Sequence, residues 1–277
     1  MSEFQKVIKY CAMAFAAFLA FSIITGIVTA VLAVTGAISD SSGKDTVDFN
    51  KSYENVSSLY IDHGIGTLNI RQGKSNEVEV DAKNVEDINI DLSSSGELKI
   101  RSKFNFWNFI SGNRGIGERS VITIYVPDDF VADKVVLDAG AGNIHIEALI
   151  TEKLDINAGA GNIKGSNISA GQVILDGGVG DITFDEVNFT DSDIDSGVGN
   201  ITIEGSLYGK NEIDCGVGEV TLDLAQSTDD FNIRVEKGLG NVRINGEKFS
   251  DLNWDNMTAE NSLDINGGVG NIDIDFR

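Results

Sequence analysis

From about residue 131 onward, apolar and polar residues alternate with a period of two, and pairs of glycines interrupt the alternation at regular intervals. An apolar residue stands five positions before the second glycine of each pair, and others stand two and four positions after it. A period of two is typical of a β-strand with one buried face. The pattern therefore predicts short strands separated by glycine corners.

The motif of two glycines around one apolar residue occurs eight times. Its second glycines are Gly66, Gly142, Gly161, Gly180, Gly199, Gly218, Gly240 and Gly270. Four consecutive steps are 19 residues long, which is too short for a strand, a helix and two loops and is typical of a solenoid. We therefore predict an all-β fold, a single-stranded parallel β-helix (β-solenoid) of 19-residue coils. The first step of 76 residues equals four repeats, so the segment 78–90 is interpreted as a degenerate coil.

Glycine-rich turns can also bind phosphate through their backbone N–H groups. A phosphate loop normally occurs once in a chain, so eight copies favour corners, where glycine permits positive φ angles. The residue between the glycines is apolar in every copy and lies three positions before the next core position. A strand that keeps this apolar residue inward across an odd step must bend, which also places a corner here.

A polar residue precedes the first glycine of every copy by two positions. The eight residues are Asp62, Asp138, Asn157, Asp176, Asp195, Asp214, Glu236 and Asn266. Such side chains accept hydrogen bonds from turn N–H groups, and Asn143, Asn162 and Asn200 are expected to do the same beyond the second glycine. The alternative is a weak calcium site, because stacked carboxylates repel one another. An unchanged melting temperature between EDTA and calcium would exclude it.

Residues 10–38 carry no charge and are long enough to span a bilayer as a helix. Because Lys6 and Lys9 precede this segment, the predicted orientation places residues 1–9 in the cytoplasm. A cleaved signal peptide is the alternative, but its apolar region is usually shorter. The predicted location is the cell membrane, with a single pass.

The remaining chain is predicted to lie outside the cell. Residues 39–52 are polar and serine-rich and form a short tether. Residues 53–277 form the extracellular solenoid, with an irregular first part at 53–130 and regular coils at 131–277. Cys11 and Cys215 would lie on opposite sides of the membrane, so no disulfide joins them; Cys215 is interpreted as a buried filler.

Charge and side-chain chemistry limit the function. The chain has 43 acidic and 21 basic residues, for a net charge of -22, which disfavours nucleic acid as a partner. His63 and His145 lack a third ligand for a metal, and no motif of nucleophilic catalysis occurs. The protein is therefore predicted not to be an enzyme, and no catalytic, cofactor-binding or metal-binding residue is assigned. The alternative is a polysaccharide-acting enzyme with paired carboxylates.

An aromatic segment interrupts the irregular part. Phe104, Phe106, Trp107, Phe109 and Ile110 lie close together in the sequence. They are interpreted as a cap on the open end of the solenoid, and the alternative is an exposed patch that contacts lipid headgroups or a protein. Unfolding of the Trp107→Ala variant would favour the cap.

The stretch "VITIYVPDDFVADKVVLDAGAGNIHIEAL", with the G-x-G-[ND]-[IV] coils that follow it, resembles the bacterial β-strand-repeat family classed as a "putative adhesin" domain of unknown function, of the head-GIN type. The resemblance covers residues 53–277 and implies a membrane-tethered or secreted β-helix without an active site. The expected function is adhesin-like binding, or a structural or stress-related role in the cell envelope, without catalysis. The expected partners are the lipid bilayer, through the N-terminal helix, and a cell-wall, host-surface or envelope-signalling component.

Overall fold

A computed structural model describes residues 47–85, 87–102, 120–250, 252–254, 256 and 259–277. The strands are β1 (Val47–Tyr53), β2 (Ser58–Gln72), β3 (Val78–Val85), β4 (Ile88–Leu92), β5 (Glu97–Ser102), β6 (Val121–Val126), β7 (Val131–Ile146), β8 (Leu149–Ala160), β9 (Ile163–Ser166), β10 (Ile168–Val179), β11 (Ile182–Val198), β12 (Ile201–Val217), β13 (Val220–Leu224), β14 (Phe231–Leu239), β15 (Val242–Ile244), β16 (Glu247–Phe249), β17 (Leu252–Trp254), β18 (Asn261–Val269) and β19 (Ile272–Phe276). One 3₁₀ turn, Thr228–Asp230, precedes β14. The described part is thus all β, as the alternation predicts.

The strands of the regular part lie parallel and in register with an offset of one repeat. Leu175 pairs with Ile156 of one neighbouring coil and with Ile194 of the other. The three side chains are no more than 1% exposed and form one inward-facing column. This arrangement confirms the solenoid prediction and places a continuous aliphatic interior behind the corners.

A regular coil bends at up to three residues with positive φ. In the coil from Ile182 to Gly199 the bends are at Glu186 with φ 53°, Asp191 with φ 52° and Gly199 with φ 147°. The Asp191 Oδ1 accepts a hydrogen bond of 2.8 Å from the backbone N–H of Lys210 in the next coil. The first two bends coincide with irregularities in the β11–β12 register, so this coil consists of three short strand segments.

The order of the coils in space differs from their order in the chain. At the C-terminal end, β12 and β13 stack on β18 and β19, which in turn stack on β14 and β15. The last coil of the chain is therefore inserted between two earlier coils. Two ion pairs join it to the outermost coil, Arg234 with Asp264 at 3.6 Å and Arg243 with Asp273 at 3.2 Å.

Antiparallel strands cover both ends of the described stack. β16 and β17 pair antiparallel with β15 and β14 at one end. At the other end, β2 stacks directly on β7, β5 and β6 stack outside β2, and β3 and β4 pair antiparallel with β6 and β5. The interpretation of 78–90 as a degenerate parallel coil is therefore wrong, since these residues belong to the antiparallel cap. Short antiparallel strands of this kind protect a sheet edge from further pairing.

Several predicted features lie outside the described residues. The apolar segment 10–38 and the aromatic residues 104–110 are among them. The strand β1 begins at Val47, within the predicted tether. Among the residues that are described, no helix has the length and apolar character needed to cross a bilayer. The membrane location stays a prediction from the sequence.

Candidate binding surface

The glycine corners of the eight coils lie above one another and form one surface, which we call the corner face. It runs from the polar residue before the first glycine to the polar residue after the second glycine of each coil. Strand pairing fixes the spatial order of the coils, as shown by the second glycines: Gly66, Gly142, Gly161, Gly180, Gly199, Gly218, Gly270 and Gly240.

The glycines are required because neighbouring coils approach closely at the corner. A Cβ atom on Gly199 would lie 1.9 Å from the carbonyl oxygen of Gly180, and one on Gly197 would lie 2.6 Å from that of Gly178. The corner N–H groups donate to the adjacent coil, as in Gly180 to the Val198 carbonyl at 2.9 Å. These N–H groups are therefore not free to bind phosphate, and the prediction that the glycine pairs are corners is confirmed.

The residue before the first glycine points inward and is small in the middle of the stack. Ala139, Ala158, Ser196 and Cys215 occupy this position and are 3–9% exposed. The Cys215 Sγ lies 3.6 Å from the Gly199 carbonyl oxygen, and burial raises the pKa of its thiol. A buried thiol with a raised pKa is a poor nucleophile, which agrees with the interpretation of Cys215 as a filler.

The apolar residue between the glycines points outward. In spatial order these residues are Ile65, Ala141, Ala160, Val179, Val198, Val217, Val269 and Leu239, and we call them the apolar stripe. The five from Val179 onward are 43–72% exposed. The expectation that the strand keeps this residue inward is therefore wrong. The first glycine and the apolar residue that follows it both face outward, so the inward–outward alternation already breaks at the first glycine.

Beside the stripe runs a second line of side chains, which we call the acidic column. In spatial order it contains Asp62, Asp138, Asn157, Asp176, Asp195, Asp214, Asn266 and Glu236. The Asn157 Nδ2 donates to the Asp138 Oδ1 at 3.0 Å, and the Asn266 Nδ2 donates to the Asp214 Oδ1 at 2.6 Å. The two amides separate carboxylates that would otherwise repel, and they leave Asp176, Asp195 and Asp214 as three adjacent acids.

The central acid of this run is electrostatically strained. Partial burial raises the pKa of Asp195, and the negative charges of Asp214, Asp193, Asp176 and Glu212 raise it further. Within the described part of the chain, no ion pair relieves Asp176, Asp195 or Asp214. The middle of the corner face therefore carries uncompensated negative charge.

Asp195→Asn is expected to stabilise the protein at neutral pH by less than about 1 kcal/mol, since exposed charges are partly screened. In the folded state the pKa of Asp195 is raised above its ordinary value of 3.8. Between these two pKa values the folded state binds more protons than the unfolded state, so the free energy of unfolding falls as pH rises through this range. Urea unfolding should show the gain at neutral pH, and the gain should disappear well below pH 3.8, where Asp195 is protonated in both states. A variant less stable than the wild type at neutral pH would contradict the repulsion.

On the other side of the stripe, polar residues bond one coil to the next. Asn143, Asn162, Asp181, Asn200 and Asn271 each accept a hydrogen bond through Oδ1 from the backbone N–H of the equivalent residue in the adjacent coil. The donor–acceptor distances are 2.9–3.2 Å. This ladder confirms the structural role predicted for Asn143, Asn162 and Asn200.

A shallow groove lies between the acidic column and the stripe. Two adjoining depressions, with volumes of about 560 and 600 Å³, meet at Asp195. Carboxylates and amides form one wall, and the glycine and alanine backbone forms the floor, from Gly64 at one end to Gly238 at the other. The groove is open and follows the stack, so its shape suits a long ligand that lies along the coils.

The family model Toastrack DUF4097 matches residues 56–277, which contain all eight corners. The chain belongs to the Toastrack DUF4097 family. This membership agrees with the resemblance to an adhesin-type domain of unknown function that the glycine coils indicate.

Solved structures are similar to this Toastrack chain over most of its length. A putative cell adhesion protein from Clostridium sporogenes is 21% identical, covers 84% of this chain and 100% of its own, and has a TM-score of 0.35. A putative adhesin from Bacteroides fragilis is 14% identical, covers 84% and 98%, and has a TM-score of 0.47. A putative lipid binding protein from Parabacteroides distasonis is 15% identical, covers 82% and 96%, and has a TM-score of 0.37. No curated protein matches the chain.

The two histidines of the Toastrack domain lie in different environments. His63 is 2% exposed, and its Nδ1 lies 2.6 Å from the Ser102 Oγ. Burial lowers the pKa of His63 to about 4, so the ring is neutral at physiological pH. Burial, followed by the charges of Lys164 and Arg71, also lowers the pKa of His145. Among the residues that the structure describes, no three His, Cys, Asp or Glu side chains are grouped so that they could hold a metal ion.

Proposed function

We propose that the protein is an adhesin-like binding module of the cell surface and that it binds through the corner face without catalysis. The observation that carries the proposal is the apolar stripe. Folding accounts for the glycines through the close approach of the coils, and for the asparagines through their hydrogen bonds. Nothing in the packing accounts for an apolar residue between the glycines of all eight coils that is 43–72% exposed in five of them, and exposed contiguous apolar surface is typical of an interaction site.

The predicted membrane segment 10–38 would determine where this module lies in the cell. A helix at these residues would anchor the chain, and the tether would keep the solenoid close to the outer surface of the bilayer. The corner face would then be presented to the cell wall, to another cell or to proteins of the same membrane. The net charge of -22 keeps the domain soluble and repels other polyanions.

Replacing the stripe valines by threonine tests this function. Threonine has nearly the shape of valine and favours strands, so the triple variant Val179→Thr, Val198→Thr, Val217→Thr should fold and lose only apolar character. With the full-length chain displayed on a non-adherent bacterium, we expect retention on immobilised bacterial envelopes to fall by about tenfold. The matched control is Val131→Thr, Ile150→Thr, since these residues are 58% and 49% exposed but lie outside the stripe.

Retention of the triple variant equal to that of the wild type would refute the corner face as the binding surface. The alternative, a polysaccharide-acting enzyme, is tested on the same chain by the release of reducing sugar from bacterial polysaccharide. Release that is abolished by Asp195→Asn would overturn the proposal of a module without catalysis.

A further inference from the structure

We propose that the corner face binds an amphipathic α-helix of a partner protein, with the helix lying along the stack. Its apolar edge would contact the apolar stripe, and its lysine and arginine side chains would face the acidic column. This inference rests on the proposed binding function and assigns the class of its partner. Four properties of the face support it: the use of its backbone groups, its charge, its spacing and its width.

The backbone of the corner face offers few hydrogen bonds to a ligand. Gly161, Gly180 and Gly199 donate their N–H groups to the carbonyls of the next coil at 2.8–2.9 Å. The backbone groups of the flanking residues are likewise paired with those of the neighbouring coils. An extended peptide binds a protein mainly through such backbone groups, whereas a helix satisfies its own backbone. The face therefore suits a helix, which needs only side-chain contacts.

The charge of the face selects a cationic helix. Asp176, Asp195 and Asp214 are adjacent in the acidic column, and Asp193 and Glu212 lie close enough to raise the pKa of Asp195. Basic residues occur at the ends of the column, where Arg101 pairs with Asp62 in register and Lys237 follows Glu236. The middle of the column is thus a line of negative charge next to an apolar edge. A ligand with lysine or arginine beside an apolar edge would relieve the repulsion between these acids.

The spacing of the stripe matches the turns of a helix. Adjacent coils are separated by about 4.8 Å, so the five exposed members from Val179 to Leu239 span about 19 Å. A helix rises about 5.4 Å per turn and places one apolar residue on a narrow edge at each turn. Over four turns the two repeats differ by about 2.4 Å, half of one coil spacing. A helix of about 15 residues would therefore keep contact with the whole exposed stripe.

The width and charge of the face disfavour two other occupants, a second copy of this chain and an anionic lipid surface. The stripe is one residue wide, which is too narrow for the roughly 800 Å² per partner that stable protein dimers bury. Each copy would also bring its own acidic column to such a contact. Anionic lipid headgroups would be repelled by the same column. A single cationic helix, about 10 Å in diameter, fits the width and the charge together.

Three helical probes test the inference against the full-length protein in phosphatidylcholine nanodiscs. The first has a leucine edge flanked by lysines, the second replaces its lysines by glutamate, and the third has the composition of the first in an order without an apolar edge. By fluorescence anisotropy, with empty nanodiscs subtracted, we expect the first to bind at micromolar Kd and the others at least about tenfold more weakly.

Two variants separate the contributions of the stripe and the column. The triple threonine variant of the stripe should weaken the first probe by about tenfold, and Val131→Thr, Ile150→Thr should leave it unchanged. The variant Asp176→Asn, Asp195→Asn, Asp214→Asn should weaken it by about fivefold and reduce its salt dependence. Asparagine already occupies this column at Asn157 and Asn266, so the fold should tolerate these changes.

Each remaining outcome decides against the inference. Equal binding of all three probes, or no binding of the first, overturns it, and so does a stripe-dependent dimer in light scattering or stripe-dependent binding to lipid vesicles. If adhesion to envelopes still depends on the stripe while no helix binds, the proposed function survives and only the helical partner is wrong. If adhesion does not depend on the stripe, the proposed function is wrong whatever the result with the helical probes.

Discussion

Gly199→Ala is expected to lower the free energy of unfolding by about 3 kcal/mol or more, because the new methyl group meets the backbone of the adjacent coil. Gly199 has a φ of 147°, which a residue with a side chain rarely adopts, and its added Cβ would lie 1.9 Å from the Gly180 carbonyl oxygen. The stacked coils cannot move apart here without breaking corner hydrogen bonds such as that from the Gly180 N–H to the Val198 carbonyl at 2.9 Å. Urea unfolding monitored by circular dichroism measures the loss.

A second glycine provides the matched control. Gly246 also has positive φ, 78°, but an added Cβ would meet no atom within 4 Å. Gly246→Ala should therefore cost only the conformational penalty of about 1 kcal/mol. Equal losses for the two variants would show that the close approach of the coils is not what the corner glycines provide.

Phe184→Ala is expected to cost about 3–5 kcal/mol, since it removes a large buried side chain and leaves a cavity. Phe184 is fully buried and contacts Phe189 edge to face, with the ring centroids 5.1 Å apart. The adjacent coil has Gly165 at the paired position. A Cβ there would lie 2.6 Å from the Phe184 ring, so the missing side chain of one coil makes room for the large side chain of the next.

Gly165→Ala measures this coupling by a double-mutant cycle. In the wild-type background the added methyl should cost about 1–3 kcal/mol through overpacking. In the Phe184→Ala background it should cost less, because the methyl enters the cavity. Strictly additive losses in urea unfolding would contradict the packing of Gly165 against Phe184.

The sequence predicts the coil and its inward columns well, because each follows from local rules. The alternation of Ile182 and Phe184 with polar residues defines one strand segment, and the glycine pair with its flanking Asn200 defines the corner. Both depend on chain geometry within a few residues. The eightfold recurrence then implies parallel stacking without any further information.

The order of stacking could not be predicted from these patterns. All coils carry equivalent inward columns, so Ile213 could pair in register with Val235 as well as with Ile265, and local rules do not distinguish the two. The steps of 22 and 30 residues were the signals of an irregular end. The structure uses the longer step for the antiparallel strands β16 and β17 and returns with β18 into the stack.

The outward direction of the apolar stripe does not follow from the sequence alternation, because the alternation does not continue across the corner. Period two from Ile194 places Ser196 and then Val198 inward. In the structure Ser196 is buried and Val198 is 44% exposed, since the chain already changes phase at Gly197. The available signal was an apolar residue between two glycines in all eight copies, at a site where the flanking glycines leave no side chain to pack against it.

The stacking of the corners in this spatial order is tested most directly by engineered cysteine pairs. In the full-length chain with Cys11→Ser and Cys215→Ser, Val217→Cys and Val269→Cys occupy adjacent coils about 4.8 Å apart, within the range that a disulfide spans. Val217→Cys and Leu239→Cys lie two coils apart, at about 9.6 Å, beyond that range. We expect mild oxidation to link the first pair and leave the second as free thiols. A disulfide in the second pair with none in the first would contradict the insertion of the last coil between the two earlier ones.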